Sequence, residues 1–449
     1  MIHLLRRRDF GSLWLAGLLS LTGDWALRAA LPVAVYVLTG STVALGAVVI
    51  AGIVPRLVLG SVAGVFVDRW DRRRTLLVGY LLQGVGTLPL VLVRSADDVW
   101  IAAAVAAFSS VVTVFSTPAE GALLPRLVES EELVPANALN TLNNQLARLV
   151  GPAVGGLGVA ALGLPAVVVA DVGSFFLAAV LVAAVPATAG APERAPEAVA
   201  LDRRLSARLR RVGADWSDGV AVITSQRPLA VVVGFLVLTG FTEGIFGTLF
   251  VPFVTDVLRG SAVDVGLALA SQAVGGVFGS IAVGRLGHRV SPRVLVGAGA
   301  AWIGLIDLAI FTYPMLVPAV APALVLFAIV GFSAPSIGVG VGTIFQRLVA
   351  DSHRGRVFSA QDAASSVALL LGTTAAAILG EHVPIIALVV LQAAGYGLGG
   401  IAVLVLARER RSAPDTLRHL RAATATCAPV GPPSGAHRSA PGRGPRRRA

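Results

Sequence analysis

One short charged stretch between two apolar runs decides the fold: Gly64-Val65-Phe66-Val67-Asp68-Arg69-Trp70-Asp71-Arg72-Arg73. Residues 43–66 before it and 75–93 after it are mostly apolar. An α-helix needs about 20 such residues to cross a bilayer. The stretch therefore predicts a tight loop at a membrane surface, between two helices that span the membrane.

The composition extends this prediction to the whole chain. Of its 449 residues, 55% are hydrophobic and 14% are charged, whereas soluble proteins carry about 25% charged residues. Apolar runs between charge clusters predict twelve spans, and hence an all-α membrane protein. The predicted spans are 10–38, 43–66, 75–93, 99–127, 136–160, 164–185, 228–255, 262–285, 293–314, 318–345, 356–379 and 384–407.

Arginines predict the orientation of these spans. They cluster in alternate loops, for example at Arg72–Arg74 and Arg354, whereas the intervening loops Thr39–Thr42 and Leu162–Pro165 carry no charge. Loops rich in arginine stay on the cytoplasmic side, so both termini are expected there. The arginine-only basic usage indicates a GC-rich bacterial genome, and we expect the bacterial cytoplasmic (inner) membrane.

The charge and the reactive residues exclude several classes of function. Most of the net charge of +11 comes from ten arginines in 408–449, so it does not indicate nucleic-acid binding. The chain has no lysine, which excludes a Walker-type phosphate loop. Its one cysteine, Cys427, and six scattered histidines have no metal-ligand spacing. We therefore expect no enzyme, no metal and no cofactor.

An internal repeat predicts two parallel halves. Arg126-Leu127-Val128 recurs 221 residues later as Arg347-Leu348-Val349, and Gly151 meets Gly372 at the same offset. The fold class that follows is two pseudo-symmetric six-helix bundles. The predicted domains are a cytoplasmic N-terminus (1–9), an N-terminal bundle (10–185), a cytoplasmic linker (186–227), a C-terminal bundle (228–407) and a basic, disordered cytoplasmic tail (408–449).

Within the linker, apolar residues recur on one helical face from Leu201 to Trp216. This pattern predicts an amphipathic helix on the anionic inner leaflet. A disordered basic linker is the alternative.

The opening loop resembles the signature of the major facilitator superfamily, in which a glycine precedes Asp-Arg and further arginines. The matching residues are Gly64, Asp68, Arg69, Arg72 and Arg73. The resemblance implies a cytoplasmic latch, with Asp68 meeting the start of the eleventh span near Arg356–Ala360. A loop that is merely positively charged is the alternative. Gly287, His288 and Ser291 replace the charged pattern in the second half, so we expect a one-sided latch.

The fifth span contains Gly151, Pro152, Gly155 and Gly156. These residues resemble a Gly-Pro-x-x-Gly-Gly signature that marks antiporters of the superfamily, chiefly drug exporters. Ordinary close packing of small residues is the alternative.

A narrower resemblance, to the macrolide-efflux and enterobactin-exporter group, covers nearly the whole chain. It rests on Arg8-Asp9-Phe10, Leu13-Trp14, Gly23-Asp24-Trp25, Tyr36 to Gly40-Ser41, Leu124-Pro125-Arg126-Leu127-Val128, Ala136-Asn137-Ala138, and Asp171 before Ser174-Phe175-Phe176. That group exports amphipathic antibiotics or siderophores, usually in exchange for protons.

Ionisable residues inside spans are functional candidates because burying them is costly. Asp24 and Arg28, four residues apart, share one face of the first span; they are either cavity residues or a structural pair. Glu243 in the seventh span is a candidate proton carrier or a satisfied buried acid. Arg148 either faces the cavity or pairs with Glu120.

Two more acids and three aromatic residues are weaker candidates for a functional role. We expect structural hydrogen bonding for Asp171 and Asp307, which lie in peripheral spans. For Phe241, Phe246 and Phe250 we expect core packing, with an aromatic substrate wall as the alternative.

The function that follows is export of a small amphipathic molecule by alternating access, with proton antiport. The expected partners are membrane lipids, the substrate and protons, for a monomer that binds no nucleic acid. One alternative is an importer or facilitator of a small polar solute. Another is a membrane receptor or scaffold that transports nothing.

Overall fold

The structure, a computed structural model, describes residues 2–67, 70–190 and 216–407. Twelve long helices, here numbered α1 to α12, account for most of the residues so described. In the first half they are α1 (Arg8–Thr39), α2 (Thr42–Val67), α3 (Arg72–Thr87), α4 (Val99–Leu123), α5 (Leu133–Leu162) and α6 (Leu164–Ala183). In the second half they are α7 (Arg227–Pro252), α8 (Ala262–Leu286), α9 (Pro292–Thr312), α10 (Val320–Leu348), α11 (Asp351–Leu379) and α12 (Ile385–Leu406).

All twelve helical segments are long and apolar enough to cross a membrane, with mean hydropathy between 1.2 and 2.4 over their most apolar stretches. The predicted all-α fold with twelve spans is confirmed. Several helices begin earlier than predicted, among them α1 at Arg8, α3 at Arg72 and α11 at Asp351. A charged residue in a first turn can reach the headgroups, so its charge does not end the helix.

Both halves use the same helix pairs. In the first half α1 packs on α5 and α6, α2 on α4, and α3 on α4 and α6. In the second half α7 packs on α11 and α12, α8 on α10, and α9 on α10 and α12. Adding six to each helix number converts the first set into the second, which confirms two pseudo-symmetric six-helix bundles.

The halves meet mainly through α5 against α8 and through α2 against α11, two pairs that the repeat also relates. Gly156 lies against Ala262 and Gly266 at the start of α8, and Gly46 lies against Ala377 near the end of α11. These contacts lie toward the arginine-poor end, the end formed by residues 39–42, 162–165 and 379–385. The opposite end, where α2 leads to α3 and α8 to α9, is the arginine-rich end.

Some predictions fall outside the described residues. They are the Asp68 and Arg69 pair of the loop motif, the linker helix before Trp216, and the tail 408–449. The domain boundaries likewise stay predictions.

Candidate functional site

Glu381, between α11 and α12, caps the first turn of α2 in the other half. Its carboxylate accepts hydrogen bonds from the Ser41 hydroxyl (2.7 Å) and from the backbone N–H groups of Thr42 (2.8 Å) and Val43 (3.3 Å). The free N–H groups of a first turn carry partial positive charge, so a carboxylate is a favourable cap. These hydrogen bonds, first among them the one from Ser41, lower the pKa of Glu381. The cap is therefore ionised at neutral pH.

Two further hydrogen bonds join the halves at the same end. The Tyr36 hydroxyl donates to Asp256 Oδ2 at 2.5 Å, and the Thr42 hydroxyl donates to the Ala377 carbonyl at 2.9 Å. Asp256 lies in a π-helical turn, Phe253–Val257, that follows α7; such turns recur at functional sites. Each hydrogen bond contributes about 1 kcal/mol net, because water can replace the lost partner. Polar contacts of this kind can be exchanged for contacts with water at little cost.

The antiporter-like motif in α5 lies where α1 and the second half converge. A Cβ at Gly155 would lie 2.8 Å from Ala26 Cα of α1, and one at Gly151 would lie 2.8 Å from the Thr22 carbonyl oxygen. On the next face, a Cβ at Gly156 would lie 3.1 Å from Gly266 Cα, and the Pro152 carbonyl also lies beside Gly266. The motif thus permits close packing within a half and between halves. A role in antiport stays a prediction.

Two arginines lie over one tryptophan in the middle of the membrane. The guanidinium carbons of Arg28 and Arg148 are each 5.2 Å from the centre of the Trp25 ring. Both arginines are exposed. Among the described residues, neither lies within 4.0 Å of a carboxylate oxygen. Arg148 is therefore not paired with Glu120, and Arg28 interacts with Asp24 only at longer range.

Asp24 has a second acid beside it, on α6. Asp171 is near enough to be repelled by Asp24, and its Oδ1 lies directly against Gly23 of α1. Asp171 is 1% exposed, yet neither of its carboxylate oxygens has a hydrogen-bond partner among the described residues. The Ser174 hydroxyl donates to the Asp171 backbone carbonyl instead. The expected structural hydrogen bonding of the Asp171 carboxylate is therefore not observed.

Glu120 lies apart from the arginines. Its Oε1 faces α1 at Gly17, beside the amide of Asn143. That amide donates to the Trp14 carbonyl at 2.8 Å. Gly17 precedes Asp24 by about two turns of α1, so Glu120 lies nearer the arginine-rich end than the acid pair.

The acids of the second half face its outer helices. Glu243 of α7 accepts a hydrogen bond from the Tyr396 hydroxyl of α12 at 2.7 Å. Asp307 of α9 accepts one from Gln392 of α12 at 3.4 Å, as expected for a structural acid. Glu243 thus points into its own half, and its predicted role as proton carrier remains untested.

The aromatic residues of α7 belong to the core. Phe246 lies 5.2 Å from Phe250 and 5.6 Å from Phe311, measured between ring centres. Phe250 also meets Phe327 edge-on at 5.8 Å. This agrees with the expected core packing of Phe246 and Phe250.

The described part of the loop motif holds the start of α3 in place. Asp71 caps this helix by accepting from the Arg74 backbone N–H at 2.8 Å. Arg73 donates to the Ala183 carbonyl at the end of α6 (2.6 Å). Arg72 is half-buried, and Gly64 lies in the last turns of α2.

Sequence reasoning missed four residues of this region. Arg56 is an exposed charge within α2 that the rule for intramembrane ionisable residues would have found. Trp25 was noted only as part of a resemblance. Glu381 and Tyr396 act through partners at least 150 residues away in the sequence, so no local pattern marks them.

Comparisons with known proteins agree with this architecture. The sequence profile of a family described as transmembrane secretion effectors, within the major facilitator superfamily, matches residues 3–424. Macrolide efflux protein A of Streptococcus pyogenes is 25% identical over 378 residues, which are 83% of this chain and 90% of that protein. Multidrug efflux pump Tap of Mycolicibacterium fortuitum is 28% identical over 386 residues, again 83% and 90%.

A solved structure shows the same fold. It is a bacterial homologue of the iron transporter ferroportin in an inward-facing state, with a TM-score of 0.70 and 18% identity. The match covers 90% of this chain and 99% of that one.

Proposed function

We propose, from the premise that this chain belongs to the transmembrane secretion effector family of the major facilitator superfamily, that it exports a small amphipathic molecule by alternating access, with proton antiport. Membership of this family makes the chain a transporter. The observation that supports alternating access is the polar seal at the arginine-poor end, formed by Glu381, Tyr36 and Asp256. This seal joins the two halves at one end, and charged residues are exposed nearer the middle of the membrane.

The direction of transport is supported by the relatives. Two of them are named as efflux proteins, one for macrolides and one for multiple drugs. The motif at Gly151–Gly156 resembles that of antiporters. On this proposal the arginine-rich end faces the cytoplasm, the protein acts as a monomer in the lipid of the bacterial inner membrane, and the substrate leaves when the seal opens.

Proton coupling is supported by two neighbouring acids of the first half, Asp24 on α1 and Asp171 on α6. A charge on Asp171 repels one on Asp24, and protonation of Asp24 removes both that repulsion and the charge that attracts Arg28. Proton binding would thereby change the charge beside the exposed guanidinium of Arg28. Glu243 is the corresponding candidate of the second half.

The test is accumulation of a fluorescent amphipathic dye and a panel of macrolides in cells that lack their own pumps. We expect severalfold lower accumulation with the wild type, reversed by an uncoupler. Asp24→Asn should lose the effect, whereas Asp97→Asn, an exposed acid at the arginine-poor end, should keep it. Higher accumulation would indicate an importer. Unchanged accumulation of every compound, with the protein present in the membrane, would contradict export of this class of molecule.

A further inference from the structure

Arg148 lies on the face of α5 that meets the second half. Pro152 and Gly156 follow it at intervals of four residues, so the three share one stripe of the helix. Gly156 and the Pro152 carbonyl contact Gly266 of α8, yet Arg148, one turn beyond Pro152, is exposed. The halves therefore part at this level, and Arg148 faces the space between them.

Arg56 lies on the corresponding face of α2. It follows Thr42 by fourteen residues, close to four helical turns, and so points to the same side. Thr42 contacts α11 of the second half through Ala377, whereas Arg56 is exposed. Arg28, Arg56 and Arg148 thus bring three guanidinium groups to the inner wall of the first half.

The acidic residues inside the described spans do not pair with Arg56 or Arg148. Asp24 attracts Arg28, and the exposed Asp362 of α11 lies nearer the arginine-rich end. Glu243 is turned toward Tyr396. Helix α10 carries no acid, and the only acid of α8 is Asp264 in its first turn. Asp171 is buried against Gly23 of α1, and Glu120 lies nearer the arginine-rich end. Among the described residues, Arg56 and Arg148 have no carboxylate oxygen within 4.0 Å.

We infer that the exported molecule is an amphipathic anion, whose carboxylate or similar group binds Arg148 while its apolar part packs on Trp25. Arg56 adds a second positive charge to the same inner wall. A guanidinium forms paired hydrogen bonds with a carboxylate, and charged residues inside a membrane are costly unless they serve a function. Arg28, on the same helix as Trp25, also contacts the Trp25 ring and holds it in place.

The membrane potential can supply the energy for export of an anion. The membrane potential is negative inside and drives an anion outward. Proton entry moves charge in the same electrical direction, so exchange of a proton for the anion uses the same potential. The inference rests on the proposed export and its orientation, and not on the proton coupling.

The test is equilibrium binding to the purified full-length protein in detergent, with three probes that share one apolar group. They are pyrenebutyrate, its neutral methyl ester, and a pyrenebutyl trimethylammonium cation. We expect the carboxylate to bind roughly tenfold more tightly than the ester, as for hydrogen bonds to a charged group. Arg148→Gln should remove that difference and leave ester binding unchanged. Arg56→Gln should reduce it, which provides a second variant if Arg148→Gln does not fold.

The matched control is Arg285→Gln, which removes an exposed arginine near the arginine-rich end of α8. It should bind all three probes like the wild type. Equal binding of acid and ester, or tighter binding of the cation, would overturn the inference. Efflux assays separate this outcome from failure of the proposed function. Binding of the carboxylate without its export would refute export alone, whereas export of neutral or cationic dyes without preference for the anion would refute the inference alone.

Discussion

Glu381 makes several hydrogen bonds between the two halves at the arginine-poor end. Its carboxylate serves two backbone N–H groups and one hydroxyl of the other half. Glu381→Gln should weaken the seal by about 1 kcal/mol, the usual cost of losing a helix cap. A cysteine at Thr42, a buried position at the start of α2 whose side chain contacts Ala377 of α11, should then react about fivefold faster with a membrane-impermeant maleimide.

The control for this experiment is Glu131→Gln, an exposed acid near the arginine-rich end, in a background with Cys427→Ser. Because the pKa of Glu381 is lowered, its contribution is fully present at neutral pH and is lost as the pH falls through that lowered pKa. The thiolate fraction falls equally in both proteins as the pH is lowered, so the ratio of the Glu381→Gln labelling rate to the wild-type rate should stay constant between neutral and mildly acidic pH. Equal labelling rates in all three proteins would show that Glu381 does not hold the seal.

At the scale of helices, the contact between α5 and α8 depends on having no side chain at Gly156. Gly156→Ala would place a Cβ 2.7 Å from the Ala262 carbonyl oxygen and 3.1 Å from Gly266 Cα. We expect a loss of stability of about 1–3 kcal/mol, as for other overpacked contacts, measured as a lower midpoint of thermal unfolding. Gly173→Ala on α6 is the matched control, because its Cβ would meet no heavy atom within 4 Å. A Gly156→Ala midpoint equal to that control would contradict the proposed packing.

The helices themselves could be predicted from the sequence, whereas the direction of their side chains could not. Apolar runs identified all twelve spans because lipid requires long apolar segments. The spacing of Asp24 and Arg28 correctly placed both on one face of α1, but Arg28 lies over Trp25. Glu243 could be placed at the right depth, yet its turn toward Tyr396 depends on how α7 packs on α12. Such packing is set by contacts distant in sequence.

At the scale of the whole molecule, the repeat gives two bundles, and the proposed export requires that they move against each other. The helix pairs within each half are repeated, whereas the contacts between halves lie mainly at the arginine-poor end. Two bundles joined in this way can separate as units without internal rearrangement. On the proposed mechanism, opening this end would break the polar contacts of Glu381, Tyr36 and Thr42 and also the close packing of Gly46 on Ala377 and of Gly156 on Gly266.

A disulfide across this surface should stop transport by holding it closed. A Cβ added at Gly380 would lie 2.8 Å from the Thr42 hydroxyl oxygen, near the separation of about 3 Å between a Cβ and the partner sulfur in a disulfide. Thr42→Cys with Gly380→Cys, in a Cys427→Ser background, should cross-link on oxidation. Dye export should then fall to the level of cells without the protein, and a reductant should restore it. Either single variant should be insensitive to oxidation, and continued export by the fully cross-linked protein would show that this end need not open.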